Sequence, residues 1–210
     1  MNEYVKSLIM ENASHTVTPE LMKLRDEYRE AGIPTILTES LNFLVQSAVM
    51  IKAKRILEFG TSVGCSGIAL LQALKDAELY TVERYRPAED LATENFKKFG
   101  LSERTHCLFG EATEIADCID GEFDFIFFDC NKSKYKDLLP KVKGKLKSGG
   151  VIFADNVLFR GYVSGEVKAP HRHNTIKNNM REFLRLISTD EDFITNVIEV
   201  GDGVSVSLKK

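Results

Sequence analysis

The sequence lacks the features that mark several classes of protein. Among its 210 residues there is no apolar run close to the length of about 20 residues that a membrane-spanning helix requires. The N-terminus, Met1 to Tyr4, has no basic-then-apolar secretion signal. None of the four cysteines belongs to a Cys-x-x-Cys pair, which disfavours a zinc or redox site. We therefore expect a soluble, cytoplasmic protein with free thiols and no membrane partner.

Strong charge and biased composition are missing as well. The formal net charge is −3, which excludes a protein that binds polyanions over its whole surface but leaves a local basic patch open. With 43% hydrophobic and 28% charged residues, the composition is that of an ordinary globular protein. The length predicts one domain. Within it, we expect residues 1–50 to form an N-terminal helical cap on the main part, residues 51–210.

The spacing of apolar residues predicts the fold. Residues 4–50 have a helical pattern with breaks near 12–14 and 32–34, and five strand-helix units follow. Their strands are expected at 55–59, 79–82, 105–109, 123–128 and 151–154, and their helices at 65–74, 87–99, 112–118 and 132–146. Two last strands, 193–200 and 204–208, are joined by a turn short enough for a hairpin. The prediction is an α/β fold: a Rossmann-like, doubly wound, seven-stranded sheet, mainly parallel, with one antiparallel C-terminal strand and N-terminal helices.

The loop after the first strand is rich in glycine. Its pattern is G-x-x-x-G-x-x-G from Gly60 to Gly67, preceded by Glu58, and it differs from the G-x-G-x-x-G of dinucleotide-binding proteins. Glu83 ends the second strand, where a carboxylate can accept hydrogen bonds from ribose hydroxyls. Each feature alone is also typical of a tight turn or a surface ion pair. Together they favour a nucleoside cofactor.

Oxygen-bearing side chains follow two later strands. Asp129 comes after the fourth strand, and Asp155 with Asn156 after the fifth. Aspartate and asparagine oxygens are ligands suited to Mg²⁺ or Ca²⁺. Lys132 lies three residues beyond Asp129; beside a cation its pKa could be depressed, and it could take a proton from a substrate hydroxyl. Otherwise Lys132 simply begins a solvated, lysine-rich helix face.

The segment from Arg160 to Arg185 is basic. It contains six arginines and lysines but only two glutamates, a pattern that fits phosphate contacts or, equally, a solvated helix face. His171 and His173 could add to the charge or stack on an unpaired base.

Taken together, these motifs resemble a known family: the class I S-adenosylmethionine-dependent O-methyltransferases of the catechol and caffeoyl-CoA type. The resemblance spans nearly the whole chain and rests on Ile56-Leu57-Glu58-Phe59-Gly60 with Gly64 and Ser66, Glu83, Phe109-Gly110-Glu111-Ala112, Asp129 with Lys132, Gly149-Gly150-Val151, and Asp155-Asn156-Val157. Within the family, the chain looks most like the bacterial tRNA 5-hydroxyuridine methyltransferases, through Asp155 to Gly161 and Val200-Gly201-Asp202-Gly203-Val204.

The resemblance implies roles for individual residues. S-adenosylmethionine would be contacted by Ile36 (through its backbone), Glu58, Gly60, Ser66, Glu83, Glu111, Ala112 and Asp129. A divalent cation, Mg²⁺ or another such as Ca²⁺ or Mn²⁺, would be held by Asp129, Asp155 and Asn156. Lys132 and Asp129 would be catalytic, Arg160, Arg172 and Arg181 would contact RNA, and the protein would be a homodimer. Three positions depart from the family pattern: Glu111 replaces an aspartate, Cys65 replaces a tyrosine, and Cys130-Asn131 is unusual.

Several functions stay open at this point. The preferred one is methylation of 5-hydroxyuridine at the wobble position of the tRNA anticodon loop, and the second is O-methylation of small catechols or caffeoyl-CoA-like phenols. A non-catalytic module that binds S-adenosylmethionine and regulates a partner is a more remote reading. A nicotinamide-dependent dehydrogenase is disfavoured by the glycine spacing.

Overall fold

The computed structural model describes residues 3–210, apart from the side chains of Lys6, Ser14 and His15. Three helices come first: α1 (Glu3–Thr16), α2 (Pro19–Glu30) and α3 (Thr38–Met50). Strands and helices then alternate: β1 (Arg55–Phe59), α4 (Cys65–Ala73), β2 (Glu78–Glu83), α5 (Arg86–Lys98), β3 (Thr105–Phe109), α6 (Ala112–Cys118), β4 (Phe123–Phe128), α7 (Tyr135–Lys143), β5 (Leu146–Asp155), α8 (Asn174–Thr189), β6 (Phe193–Ile198) and β7 (Val204–Lys209).

The seven strands form one sheet in the order β3-β2-β1-β4-β5-β7-β6. The strands from β3 to β5 are parallel to one another, whereas β7 is antiparallel to both its neighbours, β5 and β6. The predicted doubly wound sheet with one antiparallel C-terminal strand is confirmed. Strand order reverses between β1 and β4, and ligands of such sheets bind beyond the carboxyl ends of the strands at this point.

Helices cover both faces of the sheet. One face packs against α2, α3 and α4, where Leu41 and Phe153 belong to the same apolar cluster. The other packs against α6, α7 and α8, where Phe128 and Phe183 meet. Central strands buried on both faces are continuously apolar, as residues 125–128 of β4 are. Polar side chains therefore gather at the ends of these strands. The boundary at residue 50 between cap and main part stays a prediction.

Two predictions about helices were wrong, and two strands differ from the prediction by more than one residue at one end: β5 spans Leu146–Asp155 and not 151–154, and β6 ends at Ile198 and not at residue 200. The break near 12–14 does not exist, because α1 runs through it and Asn12 Nδ2 donates to the Leu8 carbonyl one turn back. The helix expected at 132–146 is shorter: Lys132–Lys134 form a 3-10 turn and α7 ends at Lys143. Strand β5 then begins at Leu146, which pairs with Phe123, so tertiary pairing overrides the local helical pattern.

A search of the described helices finds none whose length and apolar character would let it cross a membrane.

Candidate active site

A cavity of about 380 Å³ lies at the carboxyl ends of β1, β2, β4 and β5. The turns after these strands line it, together with Gly110–Ala112 after β3 and Pro34–Leu37 before α3. It brings together nearly all the predicted cofactor and metal residues: Ile36, Gly60, Ser66, Glu83, Glu111, Ala112, Asp129, Asp155 and Asn156, with Lys132 beside them. Sequence positions more than 100 residues apart thus share one wall.

The glycine loop is shaped by a close approach of two backbone segments. Gly60 has a φ of +105°, and a Cβ there would lie 2.5 Å from the carbonyl oxygen of Asp129. Gly64, with a φ of +83°, is the N-cap residue of α4. Residue 60 must therefore be glycine for β1 and β4 to end side by side, which opens the space above them.

Glu58 lies behind the cavity wall and does not line it. Its two oxygens accept hydrogen bonds from Ser66 Oγ (2.5 Å) and Thr81 Oγ1 (2.6 Å). Burial raises the pKa of Glu58 to about 7, although the two hydroxyl donors lower it. Any part of Glu58 in binding a cofactor would therefore be indirect, through Ser66.

Glu83 is held in one orientation by backbone N–H groups. Ser62 N donates to Oε2, and Arg84 N and Tyr85 N both donate to Oε1, each at 2.9 Å. Since a carboxylate offers about four lone-pair positions, Oε2 is the oxygen with room for a ligand hydroxyl. Nearby, Glu111 forms an ion pair with Arg84 (3.1 Å) at the start of α6.

Two arginines of α2 hold the segment that contains Ile36. Arg25 Nη2 and Arg29 Nη2 donate to the Ile36 carbonyl at 2.7 and 2.9 Å. Arg25 is only 2% exposed and also donates to Thr38 Oγ1. The backbone of Ile36, predicted to contact the cofactor, is therefore fixed from behind. No local sequence pattern predicts these hydrogen bonds, because the tertiary fold alone brings the partners together.

The other end of the cavity carries the predicted metal ligands. Asp129 Oδ1 accepts a hydrogen bond from Lys132 Nζ at 2.8 Å. Asp155 is 1% exposed, and its Oδ1 accepts from Ser40 Oγ (3.2 Å) and from the Asn156 backbone N–H (2.8 Å). Asn156 has a φ of +56°, a left-handed conformation that asparagine tolerates. Ser40 was missed by sequence reasoning, since it lies 115 residues from its partner.

The charges at this end are unbalanced. Burial, and then repulsion from Asp129, raise the pKa of Asp155. Burial alone would lower the pKa of Lys132, but the adjacent Asp129 carboxylate raises it above its usual value. This direction is opposite to the depression expected from the sequence, which assumed a cation beside the lysine. One ammonium group therefore faces two carboxylates.

These residues fit a divalent cation. Their donors are two carboxylates and one amide at adjacent strand ends, the hard oxygen ligands that Mg²⁺ prefers, and a cation would offset the repulsion between Asp129 and Asp155. Among the side chains that the structure describes, no three of His, Cys, Asp or Glu form a cluster that could hold a metal. Because Asp129, Asp155 and Asn156 would supply only part of the octahedral shell of Mg²⁺, a cation here would keep positions for water or substrate.

The cavity also contains two thiols. Burial raises the pKa of Cys65 to about 11 and that of Cys130 to about 12. Both side chains are therefore protonated at neutral pH and are poor nucleophiles.

The residues predicted for RNA lie outside the cavity lining. Arg181 Nε donates to the Val163 carbonyl (2.8 Å) and so supports the loop after β5. Arg172 Nε donates to His173 Nε2 (3.3 Å), and the His173 ring stacks on Tyr162 with centroids 5.7 Å apart. In the described part of the chain, no cation between Arg160 and Arg185 has a carboxylate within 4 Å.

The turn between β6 and β7 holds the start of this basic segment. Leu158 N donates to the Asp202 carbonyl (3.0 Å), and Arg160 N donates to Asp202 Oδ1 (2.6 Å). Phe159 and Arg160 have φ values of 41° and 60°, which are unfavourable for these side chains. A Cβ at Gly203 would overlap the side chain of Leu158. The Gly201-Asp202-Gly203 sequence thus supports the strained turn that follows Asp155 and Asn156.

Comparison with known proteins identifies the family. A family model described as O-methyltransferase matches residues 10–210. The chain belongs to the O-methyltransferase family. This confirms the prediction of an enzyme of the S-adenosylmethionine-dependent O-methyltransferase class. A divalent cation, a tRNA substrate and a homodimer stay predictions.

Proteins similar to this methyltransferase match it over almost its whole length. A caffeoyl-CoA O-methyltransferase of Populus kitakamiensis is 29% identical over 98% of this chain and 93% of its own length. Tapetum-specific methyltransferase 1 of Arabidopsis thaliana is 28% identical over the same shares, 98% and 93%. Among solved structures, the O-methyltransferase TomG of Streptomyces achromogenes, in complex with SAM, has a TM-score of 0.85 and 25% identity over 100% of both chains.

Proposed function

We propose that this enzyme transfers the methyl group of S-adenosylmethionine to one of two oxygens that are attached to adjacent ring carbons of a phosphate-bearing substrate. We further propose that this substrate is 5-hydroxyuridine in a tRNA anticodon loop. The observation that carries the proposal is the composition of the cavity. A glycine loop and Glu83 line one part of it, and Asp129, Asp155 and Asn156 line another.

The glycine-loop side suits the cofactor. Gly60 lets a ligand approach the backbone closely, and Glu83 Oε2 is free to accept from a ribose hydroxyl. Ala112, at the start of α6, lines the cavity beside Glu111 and suits an adenine ring. TomG, with a similar fold, was crystallised with SAM. We infer that S-adenosylmethionine binds here, with its methyl group directed toward Asp129.

The carboxylate side suits the acceptor. When bound to Asp129, Asp155 and Asn156, a divalent cation would lower the pKa of a substrate hydroxyl and fix its direction. Methyl transfer is an in-line displacement, in which the attacking oxygen, the methyl carbon and the sulfur must be collinear, so positioning does much of the work. Asp129 lies where both parts of the cavity meet, since its backbone N–H bonds to Phe59 at the end of β1.

Lys132 is the group that we propose receives the substrate proton. Its Nζ lies 2.8 Å from Asp129 Oδ1, and it lines the cavity. The Asp129 carboxylate favours the protonated ammonium, so Nζ must first release a proton to solvent before it can take the proton of the substrate hydroxyl.

The basic segment supports a phosphate-bearing substrate. Among the described residues, none of the six arginine and lysine side chains between Arg160 and Arg185 has a carboxylate within 4 Å, and the segment begins shortly after Asp155 and Asn156. Unpaired bases of RNA loops can enter pockets that duplex RNA cannot. A 5-hydroxypyrimidine also presents a hydroxyl beside a carbonyl, much as a catechol presents two adjacent oxygens.

A second candidate is a caffeoyl-CoA-like phenol. The Populus relative is named for this activity, and it matches nearly the full length of the chain. A CoA thioester also carries phosphates, so the same cations would serve it.

One experiment separates the two candidates. The enzyme is incubated with Mg²⁺, labelled S-adenosylmethionine and either tRNA lacking 5-methoxyuridine, caffeoyl-CoA or a simple catechol, and the products are identified by mass spectrometry. Labelled 5-methoxyuridine supports the preferred substrate. Label in caffeoyl-CoA alone overturns the RNA assignment but retains the chemistry, and full activity after chelation of metals contradicts the role given to Asp129, Asp155 and Asn156.

A further inference from the structure

Tyr135 connects the two strand ends that carry the carboxylates. It is fully buried at the start of α7. Its hydroxyl lies 2.8 Å from the carbonyl oxygen of Phe128, the last residue of β4, and 3.1 Å from the carbonyl oxygen of Asp155, the last residue of β5. One side chain therefore reaches the residue before Asp129 and Asp155 itself.

The hydroxyl also closes a loop. Asp129 and Lys132 lie between Phe128 and Tyr135, so this contact ties the chain back to the last residue of β4, seven residues earlier. A hydroxyl has one proton, which is shared between the two carbonyls or given to the nearer one. The phenol ring is enclosed edge-on by Phe128 and Phe183, with centroids 5.4 and 5.5 Å away. The position of the hydroxyl is thus tightly restricted.

We propose that Tyr135 is a positioning residue that sets the separation of the Asp129 and Asp155 carboxylates and thereby the affinity of the enzyme for a divalent cation. This inference rests on the proposed function, since it assumes that these carboxylates bind a metal. Residues that orient metal ligands without touching the metal typically change metal affinity 10- to 100-fold when they are replaced.

The test is the variant Tyr135→Phe, which removes only the hydroxyl and keeps the buried ring. Binding of Mn²⁺ to the full-length protein is measured by electron paramagnetic resonance, and binding of S-adenosylmethionine by calorimetry. We expect the Kd for Mn²⁺ to rise about 10-fold, while the Kd for S-adenosylmethionine stays within about twofold.

Tyr28→Phe is the matched control. Tyr28 is half-buried in α2, and its hydroxyl accepts a hydrogen bond from Asn95 Nδ2 at 2.9 Å, away from both carboxylates. This variant also loses one phenolic hydroxyl but should bind Mn²⁺ as the wild type does. Thermal unfolding of both variants is recorded alongside, because a purely structural role of Tyr135 would lower Tm and weaken cofactor binding together with metal binding.

The outcomes separate the inference from the proposed function. If wild-type protein binds Mn²⁺ and Tyr135→Phe binds it equally well, the inference is overturned and the proposed function stands. If the affinities for Mn²⁺ and S-adenosylmethionine fall together, Tyr135 is structural and the inference is also overturned. If wild-type protein binds no divalent cation, the proposed metal chemistry and the inference are overturned together.

Discussion

Glu58 and Asp155 are both buried carboxylates beside the cavity, but their surroundings differ. Glu58 is 0% exposed and Asp155 is 1% exposed. The two Glu58 oxygens each accept a hydrogen bond from a hydroxyl group, of Ser66 and of Thr81. The hydrogen bonds that described residues donate to the Asp155 carboxylate all reach Oδ1, and a second carboxylate, Asp129, repels its charge.

The difference indicates what each carboxylate is for. The chain itself supplies the partners of Glu58, so this residue organises the glycine loop. At Asp155 the chain supplies too few partners, and burial of an incompletely compensated charge costs free energy of folding. On the cofactor side of the cavity, the protein therefore supplies hydrogen-bond partners for both oxygens of the buried carboxylate. On the side of Asp129 and Asp155 it does not, and a bound cation would compensate the charge.

The largest effect is expected from the isosteric variant Asp155→Asn. It keeps the size of the side chain but removes one of the two negative charges that would hold a cation. Methyl transfer should become undetectable, while the Kd for S-adenosylmethionine stays within about twofold, since Asp155 lies outside the glycine-loop side. Product formation by mass spectrometry and cofactor binding by calorimetry check this. Undiminished turnover would contradict the conclusion that Asp155, unlike Glu58, serves to bind a cation for catalysis.

Replacing Lys132 by alanine should lower kcat by about 10²- to 10⁴-fold, the usual contribution of a general acid or base. Lys136→Ala is the control, since Lys136 pairs with Glu182 on the surface of α7 and α8. Steady-state rates of the two variants are compared at saturating cofactor. Equal rates for both would identify Lys132 as part of the solvated lysine face.

Glu58→Gln should change how stability depends on pH. A buried acid whose pKa is raised to about 7 holds its proton more tightly in the folded protein, so its contribution to stability is present near pH 4.5 and is lost as pH rises toward 7. The loss is up to about 3 kcal/mol, because each pKa unit corresponds to about 1.4 kcal/mol. The glutamine variant lacks this slope. Urea unfolding of both proteins between pH 4.5 and 7.5 measures it, and parallel curves would exclude the raised pKa.

The smallest effect is expected from a comparison of two cation-rich regions: the segment from Arg160 to Arg185, and the lysines at 141, 143 and 147. Changing Arg160, Lys168 and Arg172 to glutamine removes three charges that have no carboxylate within 4 Å among the described residues. KM for RNA should rise, and the slope of log KM against log salt should decrease by about 2, since each contact with single-stranded nucleic acid contributes about 0.7. A small catechol should be methylated as before.

The matched control changes Lys141, Lys143 and Lys147 to glutamine. These lysines pair with Asp117, with Asp190 and Asp192, and with Asp124, respectively. This triple variant should lower stability slightly and leave the salt dependence of KM unchanged. If the slope of log KM against log salt is the same for the two triple variants, ion pairing within the folded protein does not determine which cations contact the substrate.

Sequence patterns were sufficient for the sheet and for most of the cavity lining. Apolar runs such as residues 125–128 and the glycine-rich loop after β1 are local signals, and carboxyl ends of parallel strands meet at one edge of a sheet. Asp129 and Asp155 could therefore be placed together in advance. The errors fell where local pattern competes with pairing, as at Leu146, which joins β5 and not the preceding helix.

The order of the elements and the candidate ligands therefore follow from the sequence alone, because periodicity and strand ends depend on neighbouring residues. Which charges are neutralised depends on the tertiary structure. Ser40 reaches Asp155, Arg25 reaches Ile36, and Tyr135 spans two strand ends through contacts that no local spacing encodes. Solvation and pairing of a charge depend on every segment packed around it, and these segments come together only in the folded chain.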